Sequence, residues 1–411
     1  MYFYAAMKNG VKLKSTLTNI EYPFNRIEEF AHNGESLEVH IDGLESAEIK
    51  PGKNLWERFS DFLPFSDIDE SISLGEGNTA LIKADKKLLD FVGLGNLYIK
   101  NETQNPTWSF KDRGSFACIA MAKEMGEDVS ATISTGNMGS SISAYGAKAG
   151  IKIIVFVPEF TPKEKVMSMG IHGATVMKII APDYSEMKKQ ILSLAKQINL
   201  RIVSGNGPFR VEGYKLTSFE MFEQMNGGVP DYIAIPTSAC GHIRGIFKGY
   251  KELFIAGIIN KIPKMIIVQA ANNSPIVNAI KEGKKHVVPF SNFHTVAEAI
   301  TTGNPMGGDE IIDKAYKYGW LAESVTEDEI IESQKLLAES GYFVEPASAT
   351  SLYAIKKLRE SGKIKKTATV VTILTGSGLK DMEVLNYHKF NVTLVNLNDV
   401  ENALSNVKEH S

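Results

Sequence analysis

From Asn96 onward, short apolar runs alternate with amphipathic stretches of helical length, and this rhythm constrains the fold more than any other feature of the chain. The spacing predicts strands at Leu97–Lys100, Ala131–Ser134, Ile153–Val157, Thr175–Ile180, Arg201–Ser204, Tyr232–Pro236, Met265–Ala270 and Thr369–Leu374. Between them it predicts helices at Phe110–Met125, Gly139–Ala149, Pro162–Met169, Ser185–Gln197, Phe209–Met225 and Ile243–Ile255. Strands separated by helices of this size require parallel sheets with helices on both faces, an α/β class of fold. In such folds a ligand lies beyond the carboxyl ends of the strands, so the strand-end loops are where chemistry is expected.

The first 70 or so residues read differently, as an N-terminal appendage (1–70) packed on the main body. They hold a short alternating segment, Leu37–Ile41, a break at Pro51-Gly52 and an aromatic-rich stretch from Trp56 to Phe65. After Lys389 come a short strand pattern, Val392–Val395, and a polar helix-like tail. With 43% apolar residues in 411, the chain can bury a large core, and its net charge of -3 gives no bulk attraction to nucleic acid or anionic membrane. Two cysteines, Cys118 and Cys240, exclude a disulfide framework and a four-cysteine zinc site, and no metal is expected. The opening MYFYAAMKNG lacks the basic residues and apolar length of a signal peptide, and no stretch approaches the roughly 20 apolar residues of a spanning helix. A soluble, cytoplasmic protein is expected.

Four strand-end loops carry reactive side chains. The first reads Asn105-Pro106-Thr107-Trp108-Ser109-Phe110-Lys111-Asp112-Arg113-Gly114. A lysine in the first turn of a helix meets partial positive charge, and Arg113 adds to it. Both favour the neutral amine that makes a Schiff base; the plain alternative is a solvated lysine paired with Asp112. The second loop, Ser134-Thr135-Gly136-Asn137-Met138-Gly139, offers an amide donor for an oxyanion or phenolate, or else an ordinary helix cap. The third, Thr237-Ser238-Ala239-Cys240-Gly241-His242, opens a helix with free N–H groups, a ready anion site. There His242 reads as a cap or loop residue rather than a catalyst, and Cys240 as a small buried filler. The fourth, Thr375-Gly376-Ser377-Gly378-Leu379-Lys380-Asp381, presents a hydroxyl and two glycines that admit a ligand close to the backbone.

Taken together these loops resemble the fold type II pyridoxal-phosphate enzymes, and among them most closely the threonine synthase family. Asn105-Pro106-Thr107-x-Ser109-Phe110-Lys111-Asp112-Arg113-Gly114 is similar to that family's cofactor-lysine motif. Further matches are Gly75-Glu76-Gly77-Asn78-Thr79, Ser134-Thr135-Gly136-Asn137, Arg210-x-Glu212-Gly213-x-Lys215, Gly303-Asn304-Pro305, Glu345-Pro346-Ala347-Ser348-Ala349 and Thr375-Gly376-x-Gly378-Leu379-Lys380-Asp381. The resemblance implies two lobes with pyridoxal 5'-phosphate between them: a small mobile lobe at 101–202 and a large cofactor-binding lobe from 71–100 and 203–411. It implies that Lys111 carries the cofactor as a Schiff base and moves protons, and that Asn137 meets the phenolic oxygen. By the same likeness Ser238, Ala239, Cys240, Gly241 and His242 cradle the phosphate, and Thr375 meets the pyridine nitrogen. Ser134, Thr135, Gly136 and Asn137 hold the substrate carboxylate, Arg210 holds a substrate phosphate, and the enzyme is a homodimer.

The implied reaction is conversion of O-phosphohomoserine and water to threonine and phosphate. Against it, Met138 stands where the family has threonine, and Ser204-Gly205 where it has asparagine and serine. Trp108 replaces a usual glycine and is expected to crowd the lysine loop. Each lost donor to a dianion forfeits about 1.5–3 kcal/mol. The alternative is a related enzyme performing β-replacement, as a cysteate synthase does, or β-elimination, as dehydratases and diaminopropionate ammonia-lyase do.

Overall fold

The computed structural model describes residues 10–24, 29–65, 68–182, 184–290, 294–390 and 392–409; the opening nine residues lie outside it. The N-terminal strands are β1 (Val11–Ser15), β2 (Glu21–Tyr22) and β3 (Leu37–Ile41), followed by β4 (Leu81–Lys83) and β5 (Asn96–Asn101). Then come β6 (Val129–Ile133), β7 (Lys152–Pro158) and β8 (Thr175–Ile179), and last β9 (Tyr232–Pro236), β10 (Lys264–Ala270), β11 (Leu321–Val325) and β12 (Thr369–Leu374). They form three sheets, ordered β2-β1-β3, β6-β7-β8 and β11-β10-β9-β12-β5-β4.

In the six-stranded sheet every pairing is parallel except that of the edge strand β4 with β5. Its central strands are buried on both faces: Ile233 and Ile235 of β9 enter one core cluster and Ala234 another, as do Val371 and Val370 of β12. Continuous apolar runs are what such double burial demands. The β6-β7-β8 sheet is wholly parallel and lies inside the span expected for the small lobe.

Two expected strands fall away. Arg201–Ser204 contributes only an isolated bridge, Ala131 to Ile202, at the edge of β6. Val392–Val395 is irregular, and Val392 (88%) and Leu394 (101%) are exposed, because no surface covers their apolar side. Conversely β1, β2, β4 and β11 were not foreseen.

The N-terminal sheet is fastened by cations from the main body. Arg244, fully buried in the helix Gly241–Ile255, donates from Nη2 to Leu37 O (2.8 Å), and Lys248 from the same helix donates to Val39 O. Asn206 Nδ2 adds a bond to Ser36 Oγ (2.9 Å). Among the described residues, no helix is long and apolar enough to cross a membrane.

Candidate active site

The parallel registers place Leu374 beside Asn101, and Val370 beside Tyr232, so the loops after β5, β9 and β12 leave the same edge of the large sheet. The lysine loop is stitched directly onto the loop after β12: Phe110 N donates to Thr375 O (2.9 Å) and Ser377 N to Trp108 O (3.0 Å). That loop is in turn tied to Glu345, whose N–H donates to Gly376 O (3.0 Å). Trp108 occupies the left-handed region, with φ 63°, which explains why glycine suits the position. The residue is 53% exposed, so much of its indole faces solvent.

Lys111 is the first residue of the helix Lys111–Glu124 and is half-buried at the cleft. Its Nζ sits 4.2 Å from the Phe110 ring centroid and makes no hydrogen bond or ion pair among the described residues. Burial, then the Arg210 cation, pushes the amine down to about 7, with Glu345 pulling the other way. The cation responsible is thus Arg210, not Arg113 as the sequence suggested. Arg113 is neutralised by Glu102 (Nε to Oε2, 2.7 Å) and Glu220 (Nη1 to Oε2, 3.0 Å). Nor does Asp112 pair with Lys111: its buried carboxylate accepts from Thr107 N (2.6 Å), Thr107 Oγ1 (2.5 Å) and Ser141 Oγ (2.6 Å).

Below the lysine, the Phe110 ring stacks on His242 with centroids 3.8 Å apart. Both His242 ring nitrogens lack partners, and burial drives its pKa down to about 3, so it is neutral. In the turn before it, the N–H groups of Ser238, Ala239, Cys240 and Gly241 find no acceptor in the chain among the described residues. Cys240 adopts φ 73°, which turns these N–H groups, and a methyl on Gly241 would fall 2.1 Å from Gly205 O. Four open donors at the start of a long helix suit a phosphate. With the lysine and the strand-end hydroxyl of Thr375 they fit pyridoxal phosphate.

Across the cleft, the helix Asn137–Ala149 begins at Asn137, whose Nδ2 donates to Glu345 Oε2 (2.7 Å). Ser134 Oγ turns back onto its own loop, accepting from Gly139 N (3.1 Å), while the N–H groups of Thr135, Asn137 and Met138 find no acceptor among the described residues. Arg210, from the helix Pro208–Gln224, is fully buried yet has no carboxylate in ion-pair range among the described residues. Its Nε donates to Ser204 O (2.9 Å) and Nη1 to Ser115 Oγ (3.3 Å), and Nη2 has no partner. It reaches this place because Gly114 leaves room: a Cβ there would lie 2.6 Å from Arg210 Cγ. Met138, Ser204 and Gly205 line a cavity of about 420 Å³ together with Glu29 of the appendage. The buried Glu29 carboxylate accepts from Ser204 N (2.7 Å), and burial pushes its pKa up.

The structure therefore links Lys111, Asn137, Thr375 and Arg210 through the Phe110–Thr375 bond, the Glu345 carboxylate and the charge of Arg210 on the lysine, while the cavity is lined by none of these four. Glu345 and Glu29 were missed as site residues. Glu345 had a sequence signal, since Glu-Pro-Ala-Ser-Ala starts a helix, but a carboxylate before Pro346 reads as a plain helix entry. Glu29 had none.

Comparison with known proteins agrees with this geometry. Residues 72–376 match the family of pyridoxal-phosphate dependent enzymes. The threonine synthase of Methanocaldococcus jannaschii is 41% identical over 326 residues, 79% of this chain and 80% of that one. That of Halalkalibacterium halodurans is 35% identical over 332 residues, 80% and 90% of the two chains. Among solved structures, serine racemase from Dictyostelium discoideum superposes with a TM-score of 0.62 at 26% identity, covering 73% of this chain and 92% of that one. Threonine deaminase isoform 2 from Solanum lycopersicum shares the fold, with a TM-score of 0.64 at 22% identity over 75% and 86% of the chains. With a family match over 305 residues and relatives 35–41% identical over about four fifths of its length, the chain belongs to the threonine synthase family of pyridoxal-phosphate-dependent enzymes.

Proposed function

We propose that this enzyme converts O-phosphohomoserine and water to threonine and phosphate, using pyridoxal phosphate held covalently by Lys111. The observation that carries the reading is Arg210: a fully buried cation beside Lys111, with no carboxylate in ion-pair range among the described residues, asks for an anion from the substrate. When bound, the cofactor supplies an electron sink for negative charge on the substrate carbons. The chain's own groups do the rest. Open N–H groups of Thr135, Asn137 and Met138 hold the substrate carboxylate at the start of a helix. The Lys111 amine, poised near neutrality, takes and returns protons at the substrate carbons. Arg210 grips the phosphate until it leaves. The span 101–202 acts as a small lobe that closes on the large one and keeps water out until it is needed. The enzyme works as a homodimer.

The test is phosphate release with product analysis, after incubating cofactor-loaded protein with O-phosphohomoserine. Threonine and phosphate in equal amounts are expected. No phosphate release, with the cofactor bound, would overturn the reading. Met138 and Gly205, which offer no side-chain donor at the cavity, would then direct attention to phosphoserine with sulfite and to simple hydroxy amino acids. Arg210→Ala is expected to raise KM for the phosphorylated substrate by about 10- to 100-fold, and far less for an unphosphorylated one. Equal effects on both would show that Arg210 does not read phosphate.

A further inference from the structure

Ser204 is held from both sides. Its N–H donates to Glu29 Oε2 (2.7 Å), and its carbonyl accepts from Arg210 Nε (2.9 Å). Glu29 belongs to the appendage and is 4% exposed. Its carboxylate lies against Gly207, where a Cβ would fall 2.2 Å from Oε2, so glycine there makes room for it. The appendage takes a second hold two residues on, where Asn206 Nδ2 donates to Ser36 Oγ (2.9 Å). The run 204–207, which leads into the helix Pro208–Gln224, is thus fixed from outside the stretch shared with the wider family.

Arg210 depends on that run for its aim. Its guanidinium is anchored by two neutral oxygens, Ser204 O and Ser115 Oγ (3.3 Å), and Nη2 is buried with no hydrogen-bond partner among the described residues. No carboxylate among the described residues, Glu29 included, comes within ion-pair range of it. A direct pair would neutralise the cation; a bond to the Ser204 N–H fixes its anchor and leaves it unpaired.

We propose that Glu29 is a positioning residue of the substrate-anion grip: through Ser204 it aims Arg210 at the substrate phosphate, and the appendage thereby completes the active site. The inference rests on the reading that Arg210 holds that phosphate. The sign of the effect separates it from plain electrostatics. A carboxylate near an anion site repels the anion, so its removal alone would tighten binding, whereas loss of an aiming contact weakens it.

Two ligands that cannot turn over test it on the cofactor-loaded enzyme. One is the phosphonate analogue of O-phosphohomoserine, with carbon in place of the bridging oxygen; the other is norvaline, the same chain without the phosphonate. Dissociation constants are read from the cofactor's absorbance, and wild type is expected to prefer the phosphonate. In Glu29→Ala the phosphonate is expected to bind about tenfold more weakly, and norvaline to change by less than about twofold. Glu29→Gln keeps an oxygen for the Ser204 N–H and is expected to stay within about threefold of wild type. Tighter phosphonate binding in Glu29→Ala, or equal weakening of both ligands, overturns the proposal. Glu29→Asp keeps the charge and withdraws the acceptor, so it should show the same split in smaller measure whether or not Glu29→Ala folds; equal effects on both ligands there also overturn it. A wild-type enzyme that binds both ligands alike would instead strike down the reading of Arg210, and the inference with it, so the two failures are told apart.

Discussion

At the scale of single residues, the site is a study in burial set against charge. Lys111 owes its low pKa first to desolvation and second to Arg210, so the neutral amine that captures an aldehyde should dominate only above about 7. Capture of pyridoxal phosphate by cofactor-free protein, followed by absorbance, is therefore expected to quicken as pH rises through about 7 rather than near the 10.5 of an ordinary lysine. Arg210→Gln removes a cation that lowers this pKa, so the midpoint should move upward. No movement would mean that desolvation acts alone. Lys111→Ala should keep the fold, lose turnover and yield no pyridoxyl peptide after borohydride; substantial residual turnover would refute the lysine's role. Much of this was legible in the sequence, because Lys111, Asn137 and Thr375 each follow a strand end. What was not legible is long-range: which arginine faces the lysine depends on how two helices cross, and Glu29 and Ser204 are brought together from distant parts of the chain.

At the scale of elements, the helices Lys111–Glu124 and Pro208–Gln224 cross closely, and a buried ion network locks them to β5. A Cβ on Gly213 would fall 2.1 Å from Arg113 O. Gly213→Ala is expected to cost about 1–3 kcal/mol by forcing the helices apart, measured by denaturant unfolding. In the network, Lys100 and Arg113 share Glu220, Arg113 also holds Glu102, and Thr79 bonds to both carboxylates (2.7 and 3.2 Å). Glu220→Ala takes the carboxylate from buried Lys100 and leaves Arg113 with Glu102 alone, and should cost about 3–5 kcal/mol in the same assay; a loss below about 1 kcal/mol would show that the network is not a stability element. The central strands were readable because burial on both faces leaves an uninterrupted apolar run, as in Tyr232–Pro236 and Thr369–Leu374. The two edge strands of the large sheet, β11 and β4, were not. Leu321–Val325 carries Glu323 and Ser324 at half-buried positions, and three-residue β4 leaves too short a pattern to read. Val392–Val395 shows the converse error, an apolar alternation with no surface to pack against.

At the scale of the whole molecule, Asn137 with Glu345 and Lys165 with Glu298 are two of the side-chain pairs that join residues 101–202 to the rest of the chain. The second pair joins partly exposed groups, so Lys165→Ala should change global stability by no more than about 1 kcal/mol. Any effect on hydrogen exchange should be confined to the cleft-facing segments, and exchange spread over β9–β12 would contradict this. The appendage has the opposite character. Arg244 and Lys248 lie fully or nearly buried in the main body, yet each spends a donor on a carbonyl of β3, and Ser204 and Asn206 likewise look to the appendage for partners. The stretch shared with the wider enzyme family starts at residue 72. A chain trimmed to begin there would leave those cations facing water-filled space or nothing, and is expected to lose cooperative unfolding. Kinship and self-sufficiency are thus expected to have different borders: the match to the broad family begins at residue 72, and the shortest stretch that folds cooperatively is expected to begin earlier.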